Sequence, residues 1–334
     1  LKQAFDVRRL HRSDGMPAFA DLPVQVVSGK GRDRYIRDLI DVAATCGIPE
    51  ETVRFAIDPS RAAFGVNTGC NRNLLSLMTV GKTVFSLDDD VIIRPGQRRN
   101  ARTGLVLDDE IPPDFYRVFP DQEALNQYIE PCSLSILNAS RCCFEKPVSG
   151  ILRENAPFMI PEDLEFCSPG LVRKLHHPDS NVGIVSYGVY GALTHDNPAR
   201  LLKVFMKEHM SGRNPDGIDY SASRLSANMA DGGDAPVLTR SAVFGSTCFV
   251  YSNNVSIPPF LPYGRAEDTS WITTYTHCNP VSFVLHVPIF LYHDRPERHR
   301  ITEEGFSRFS YTTSLICSFI IVRYVGWRLD VGLP

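Results

Sequence analysis

The chain has 334 residues, room for one large domain or two ordinary ones at roughly 100–200 residues per domain. Its 43% hydrophobic and 22% charged residues are those of a soluble globular protein and exclude an extended disordered chain. Lys+Arg 35 against Asp+Glu 38 leaves a formal net charge of −3, so there is no basic field to hold nucleic acid by phosphate neutralisation.

Residues 1–22 mix charges around Asp14, Gly15 and Pro17, a composition suited to an irregular arm. Residues 24–27 (VQVV) form a short β-branched run that stops at Ser28, Gly29, Lys30, Gly31 and Arg32, the pattern of a buried strand delivering a polar loop. From Asp33 onward Ile36, Leu39, Ile40 and Ala43 recur at helical spacing, and Gly47 with Pro49 marks the stop. Val53, Phe55 and Ile57 then alternate with polar residues up to Asp58, which predicts a second strand ending in a carboxylate.

After a loop containing Gly65 and Gly69, residues 71–80 (NRNLLSLMTV) predict a helix with Gly81 at its C′ position. A third strand over 83–87 (TVFSL) runs directly into Asp88, Asp89 and Asp90. Strands alternating with helices imply a parallel sheet whose ligands sit at the carboxyl ends of the strands. The segment from about 100 to 240 is less legible: helical fragments such as 198–209 alternate with Gly/Asp-rich loops at 212–217 and 231–234. Order returns over 242–251. A proline-rich stretch, 257–262 (IPPFLP), leads to Gly264, Arg265, Ala266, Glu267 and Asp268, which open a short helix through Trp271 and Tyr275. A final apolar strand over 281–291 ends on His293.

Nine cysteines include no CxxC pair, which speaks for reduced thiols in a cytoplasmic protein and against a zinc ribbon. No charged-then-apolar leader pattern opens the sequence. The one lipid-like stretch, 314–322 (SLICSFIIV), is interrupted by Arg323, well short of the roughly 20 residues a membrane span needs. It is expected to be a buried C-terminal element, with a membrane-surface or partner-docking element as the alternative.

Three consecutive carboxylates at the end of a buried strand repel one another and disfavour their own ionised forms. A divalent cation relieves that repulsion, and hard oxygen ligands suit Mg2+ or Mn2+ shared with substrate phosphates. Asp88 and Asp90 point to the same side of an extended chain. The bland alternative is a solvated acidic turn. Glu267 and Asp268 stand at a helix start, where the dipole favours an ionised carboxylate; the pair reads either as a general base with a neighbouring hydroxyl holder or as a helix cap. His293 reads as a metal ligand or a structural histidine, and His286 as structural first. Arg295, Arg298, His299 and Arg300 form either a phosphate lid or a solvated loop.

Trp271, Tyr263 and Phe260 have core packing as their first use and stacking on a sugar ring as their second. His176 with His177, and His195 with Asp196, have no partner at ligand spacing and read as surface loops. Cys70 has no His or Asn relation that marks a nucleophile. Neither Ser149-Gly150 nor Ser168-Pro169-Gly170 forms the GxSxG elbow of a hydrolase.

The order of these blocks resembles GT-A glycosyltransferases, especially family-2-like ones. The likeness runs in outline over about 22–300. It is specific in Gly69-Cys70-Asn71-Arg72-Asn73 before the acidic strand end, in the D-x-D-like Asp88, Asp89 and Asp90, and in Arg265, Ala266, Glu267 and Asp268, which match an R-x-E-D element. The resemblance implies an α/β, GT-A fold: a Rossmann-like, mostly parallel central sheet flanked by helices, with an irregular acceptor-side region and a C-terminal helical tail. It implies an arm over 1–22, a nucleotide-sugar half over 22–110, an acceptor half over 111–300 and a tail over 301–334 packing on the core.

Under the same resemblance Ser28 and Arg32 lie by the nucleotide, Asp58 receives base or ribose, and Asn71, Arg72 and Arg265 belong to the donor side. Asp88 faces the ribose, Asp90 holds the metal with Asp88 and His293 as further candidates, and Asp89 is the extra carboxylate. Asp268, or Glu267, matches the catalytic base. The implied activity is a metal-dependent transfer of a sugar from a nucleoside-diphosphate sugar, a UDP-sugar first, using Mn2+ or Mg2+. The acceptor is a small molecule, glycan or peptide, and the transfer inverts the anomeric centre. The alternatives are a sugar-phosphate nucleotidyltransferase, for which Ser28 to Arg32 would be a short glycine-rich basic loop, and a non-catalytic carbohydrate- or nucleotide-binding protein of the same fold.

Overall fold

The computed structural model describes residues 29–61, 68–88, 91–109, 116–119, 122–133, 135–192, 228–231, 235–240, 248–254, 257–262 and 267–293. The chain divides into two compact units, Leu1–Asp58 and Pro59–Pro334. Several features expected from the sequence lie outside the described residues: the strand at 24–27, Ser28, Asp89, Asp90, the helix at 198–209, His195, Tyr263, Arg265, the basic run from Arg295 and the tail beyond 301.

The described residues of the first unit form two helices, α1 (Gly29–Thr45) and α2 (Glu50–Ile57). In α1, Ile36 and Ala43 are buried at the spacing expected of one helical face. The helix begins earlier than its apolar pattern suggests, so Gly29, Lys30, Gly31 and Arg32 form its first turn rather than an open polar loop. The strand expected over Val53, Phe55 and Ile57 is instead helix α2. Pro49 stands at the N-cap with Glu50 and Glu51 in the first turn, where acidic side chains meet the positive end of the dipole. Arg54 then bonds Glu50 at 2.6 Å and pairs with Asp58 at 3.6 Å, both at helical i,i+4 spacing. Val53 and Ile57, four residues apart, are buried, and Phe55 between them is 55% exposed. Asp58 therefore closes a helix, not a strand.

The second unit holds the sheet. Its strands are β1 (Thr83–Leu87), β2 (Val91–Arg98), β3 (Val106–Asp108), β4 (Tyr116–Val118), β5 (Ile129–Pro131), β6 (Asn181–Ala192), β7 (Asn228–Asp231), β8 (Val237–Thr239), β9 (Cys248–Ser252) and β10 (Ser282–His293). Its helices are α3 (Thr68–Met78), α4 (Gln122–Tyr128), α5 (Ile136–Phe144), α6 (Val148–Asn155), α7 (Pro169–Leu175) and α8 (Glu267–Cys278). The main path through the sheet runs β1-β9-β6-β10-β2-β5; β8 joins β10 and β3 joins β8, while β7 joins β6 and β4 joins β7.

Among the described pairings only β6 with β10 and β3 with β8 are parallel, and the others are antiparallel. The fold is thus mixed α/β, as expected, but its sheet is mostly antiparallel rather than mostly parallel. Two facts undo the sequence reading. The second supposed strand is helical, and β1 pairs with β9, which lies far along the chain and runs the opposite way.

Helices cover both faces. On one face Ile136, Val148, Ile151, Leu171 and Leu175, from α5, α6 and α7, pack on Val182, Val185, Phe283 and Leu285 of the central strands. On the other, Trp271, Ile272 and Tyr275 of α8 pack with Phe260 on Ile184, Phe249, Tyr251 and Val284. Trp271 stacks on Phe260 with centroids 4.7 Å apart and planes 5° from parallel, and its indole N–H donates to the Pro258 carbonyl at 2.8 Å. Phe260 and Trp271 are 2% and 1% exposed, so both serve the core.

The eight described cysteines are free thiols, and no described helix is long and apolar enough to cross a membrane.

His286 lies in the middle of β10, opposite Val237 of β8 and Ser186 of β6. Burial pushes its imidazole down to about 3 from an ordinary 6.5. The unfolded chain therefore takes up this proton first as pH falls, and folded stability is lost through the window from about 6.5 to about 3. Urea melts should show the native chain losing up to roughly 1.4 kcal/mol per pH unit on this account, and His286→Leu should flatten that acid slope. An unchanged slope in the variant would place the acid sensitivity elsewhere.

Candidate functional site

The residues singled out by the sequence fall into both units. Arg32 and Asp58 belong to the first. There the Arg32 guanidinium donates to the Ile57 carbonyl at 2.7 Å, tying the first turn of α1 to the end of α2, and Asp58 faces Arg54. The second unit carries Asn71, Arg72, Asp88, Glu267, Asp268 and His293, and here the geometry brings distant parts of the sequence together.

Helix α3 is the hinge of this arrangement. It buries Gly69, Cys70, Asn73, Leu74 and Ser76, while Leu75 and Leu77 are 49% and 42% exposed. The inversion follows from what lies opposite, which is the backbone of the proline-rich segment 257–262. Asn73 forms a two-way clamp on Phe260, donating from Nδ2 to its carbonyl at 2.9 Å and accepting its N–H on Oδ1 at 2.6 Å. The Cys70 N–H donates to the Pro262 carbonyl at 3.1 Å. Gly69 packs so closely on the Leu261 carbonyl that a Cβ there would overlap it. A helix can approach bare backbone this closely only with small or amide side chains at the contact.

The far end of α3 is tied down by Asn253, whose Nδ2 donates to the Ser76 carbonyl at 2.7 Å, and the Ser76 and Tyr251 hydroxyls lie 3.1 Å apart. Gly81 carries the positive φ of 78° that the turn into β1 requires, and its N–H donates to the Asn253 carbonyl at 2.9 Å.

This docking fixes Arg72. Its side chain is 12% exposed, its guanidinium lies over the Phe260 ring at 5.5 Å, and its Nη2 donates to Asp88 Oδ1 at 3.0 Å. Asp88 directly follows β1, and its carboxylate is 36% exposed. Arg72 also sits near enough to Glu267 for its charge to act on that carboxyl. Glu267, the first residue of α8, is 8% exposed. Burial, helped by the adjacent charge of Asp268, pushes its carboxyl up; Arg72 and the Thr68 hydroxyl pull it back only in part.

His293 ends β10 opposite Val91, the residue that follows the acidic triplet, and is 6% exposed. The register thus sets His293 opposite Val91, which follows Asp90 in the sequence; Asp89 and Asp90 themselves lie outside the described residues. Among the described residues no three His, Cys, Asp or Glu side chains form a ready metal cluster. Asn71 is exposed on α3 next to Arg72.

Asn73, Ser76 and Cys248 play parts that sequence reasoning did not assign. Asn73 and Ser76 share one α3 face at i,i+3 spacing, a signal that reads as a solvated stripe until its backbone partners are known. Cys248 is opposite Leu87 in the β1–β9 pairing, and burial with the nearby Asp88 charge drives its thiol well above the ordinary range. It is an inert core sulfur.

Comparison of the chain with models of known families, with characterised proteins and with solved structures returns no match.

Two outcomes test this geometry. Asn73→Ala leaves the Phe260 N–H and carbonyl without their buried partners and should lower stability by about 2–4 kcal/mol, read as a drop in urea midpoint at constant m-value. Glu267→Gln should act the other way. Because the native carboxyl titrates above its unfolded value, its favourable contribution is present at low pH and lost as pH rises through the folded value. The variant should be more stable than the native chain at pH 8 and gain nothing at pH 4.

Proposed function

We propose that the chain is a glycosyltransferase of GT-A type, with mixed strand directions in its sheet, that uses a nucleoside-diphosphate sugar and a divalent cation. One observation carries this reading. Arg72 bonds Asp88 and also acts on Glu267, so the donor-side block at the end of β1 and the acceptor-side block at the start of α8 meet around a single guanidinium.

A structural role alone accounts poorly for Glu267. A buried carboxyl held above its usual range costs stability at neutral pH, and such groups gather where chemistry needs them. The glycine-rich loop that would favour a nucleotidyltransferase loses its form, because Gly29 to Arg32 lie in the first turn of α1.

In this reading the guanidinium of Arg72 orients Asp88 toward the ribose and keeps positive charge beside the departing diphosphate. Asp90, Asp88 and His293 offer the oxygen and nitrogen donors that suit Mn2+ or Mg2+, and the pairing of His293 with Val91, the residue after Asp90 in the sequence, is consistent with that use. A cation bound there would neutralise the phosphate oxygens. Asp268 takes the proton of the acceptor hydroxyl as its oxygen bonds the anomeric carbon and the bond to the β-phosphate oxygen breaks, releasing the nucleoside diphosphate with inversion. Glu267, whose carboxyl burial pushes up, would hold an acceptor hydroxyl.

The deciding experiment is a thermal-shift screen of UDP-, GDP-, CMP- and dTDP-sugars with and without Mn2+, since ligand binding raises the apparent Tm by mass action. A UDP-sugar should raise Tm only with metal. Asp90→Ala should abolish the shift, whereas Asp268→Asn should keep it and lower turnover about 100-fold or more. Release of pyrophosphate instead of nucleoside diphosphate would transfer the chain to the nucleotidyltransferase reading. Binding without any turnover would make it a non-catalytic member of the fold.

A further inference from the structure

A pocket of about 370 Å3 opens where the loop following α7 lies against α6, and it shares no lining residue with the Arg72 cluster. We propose that it is a second ligand site, built to receive a small organic phosphomonoester; the proposal does not rest on the glycosyltransferase reading.

The ionisable residues of the lining are all basic types. Arg153, His176 and His177 line the pocket together with Ser149, and no Asp or Glu is among the lining residues. The nearest acidic neighbours in the sequence are otherwise engaged. Glu154 accepts both of its contacts from Lys146, at 2.8 and 2.7 Å. Asp179 turns its N–H to His177 Nδ1 at 3.2 Å, with its carboxylate 3.8 Å from the same nitrogen. Since Nδ1 accepts that bond, Nε2 is the His177 nitrogen left to donate to a ligand. Arg153 and His176 make no side-chain hydrogen bond or ion pair with any described residue. Ser180 also borders the pocket, but its hydroxyl donates to the Lys174 carbonyl, which fixes the loop and leaves its oxygen only an accepting role.

The donors available to Arg153, His176, His177 and Ser149 match the several acceptor oxygens of a phosphate, with Arg able to bind two of them at once. Leu152 and Leu175 supply an apolar wall, so the fitting ligand carries a short hydrocarbon body beside its anionic head. The volume lies within the range of small-molecule sites.

The test titrates the full chain with phenyl phosphate, following the histidine ring signals by NMR and the heat by calorimetry. Saturable one-to-one binding should weaken about ten-fold in Arg153→Gln and in His176→Gln. It should disappear for phenol and stay unchanged in Asp88→Asn, which separates this site from the Arg72 cluster. Both lining residues are exposed, so the variants should melt with the native chain. Vesicles of phosphatidylcholine with phosphatidic acid provide the second arm: sedimentation lost in Arg153→Gln assigns the phosphomonoester to a lipid headgroup, and no sedimentation assigns it to a soluble molecule. Absence of saturable phenyl phosphate binding, or equal affinity in native chain and both variants, would overturn the proposal.

Discussion

Everything at the candidate site hangs on the closeness of α3 to a stretch of bare backbone. The Asn73 clamp on Phe260 and the Cys70 bond to Pro262 hold the helix where Gly69 leaves no room for a methyl group. That contact pins Arg72 over the Phe260 ring and against Asp88. A largely desolvated guanidinium is tolerated only with strong partners. Arg72 has Asp88 as an ion-pair partner and the aromatic face of Phe260, and its charge is felt by Glu267. Loosening the helix would free the arginine and with it the link between the two acidic blocks.

The stability of this arrangement is shared with the core behind it. Phe260 stacks on Trp271, and Trp271 returns a hydrogen bond to Pro258, so the segment that receives α3 is itself fastened to α8. Glu267 begins that same helix. The electrostatics of the carboxyl pair and the packing of the aromatic cluster are therefore coupled through one rigid element. Rigid support of this kind is what a site needs if a proton donor or acceptor is to stand at a fixed distance from a substrate.

Where periodicity was strong, the sequence was legible. The apolar repeat of α1, the run of β1 from Thr83 to Leu87, the start of α8 after the proline-rich stretch and the strand ending on His293 all appear where their patterns predict. Pattern failed over Glu50–Ile57, a segment too short to separate period two from period four, in which Pro49 and two glutamates were the better guide. It found helix α3 but not which face it buries, because exposed leucines and buried Asn73 and Ser76 reverse the usual meaning of polarity there. A polar side chain reads as solvated until the backbone groups that satisfy it are known.

The residue order alone determined which chemistry-bearing groups exist: an acidic triplet after a short strand, an arginine in the helix before it, and a carboxylate pair at the head of a later helix. It also determined the local elements that carry them, because helix and strand formation depend on near neighbours. Strand direction was decided only in three dimensions, since an apolar run pairs equally well with a parallel or an antiparallel partner and β9 reaches β1 from far along the chain. So was the pairing of Arg72, whose charge also reaches Glu267, with Asp88, because that arrangement depends on how closely α3 and the segment 257–262 can pack, and nothing in the spacing of the sequence sets that distance.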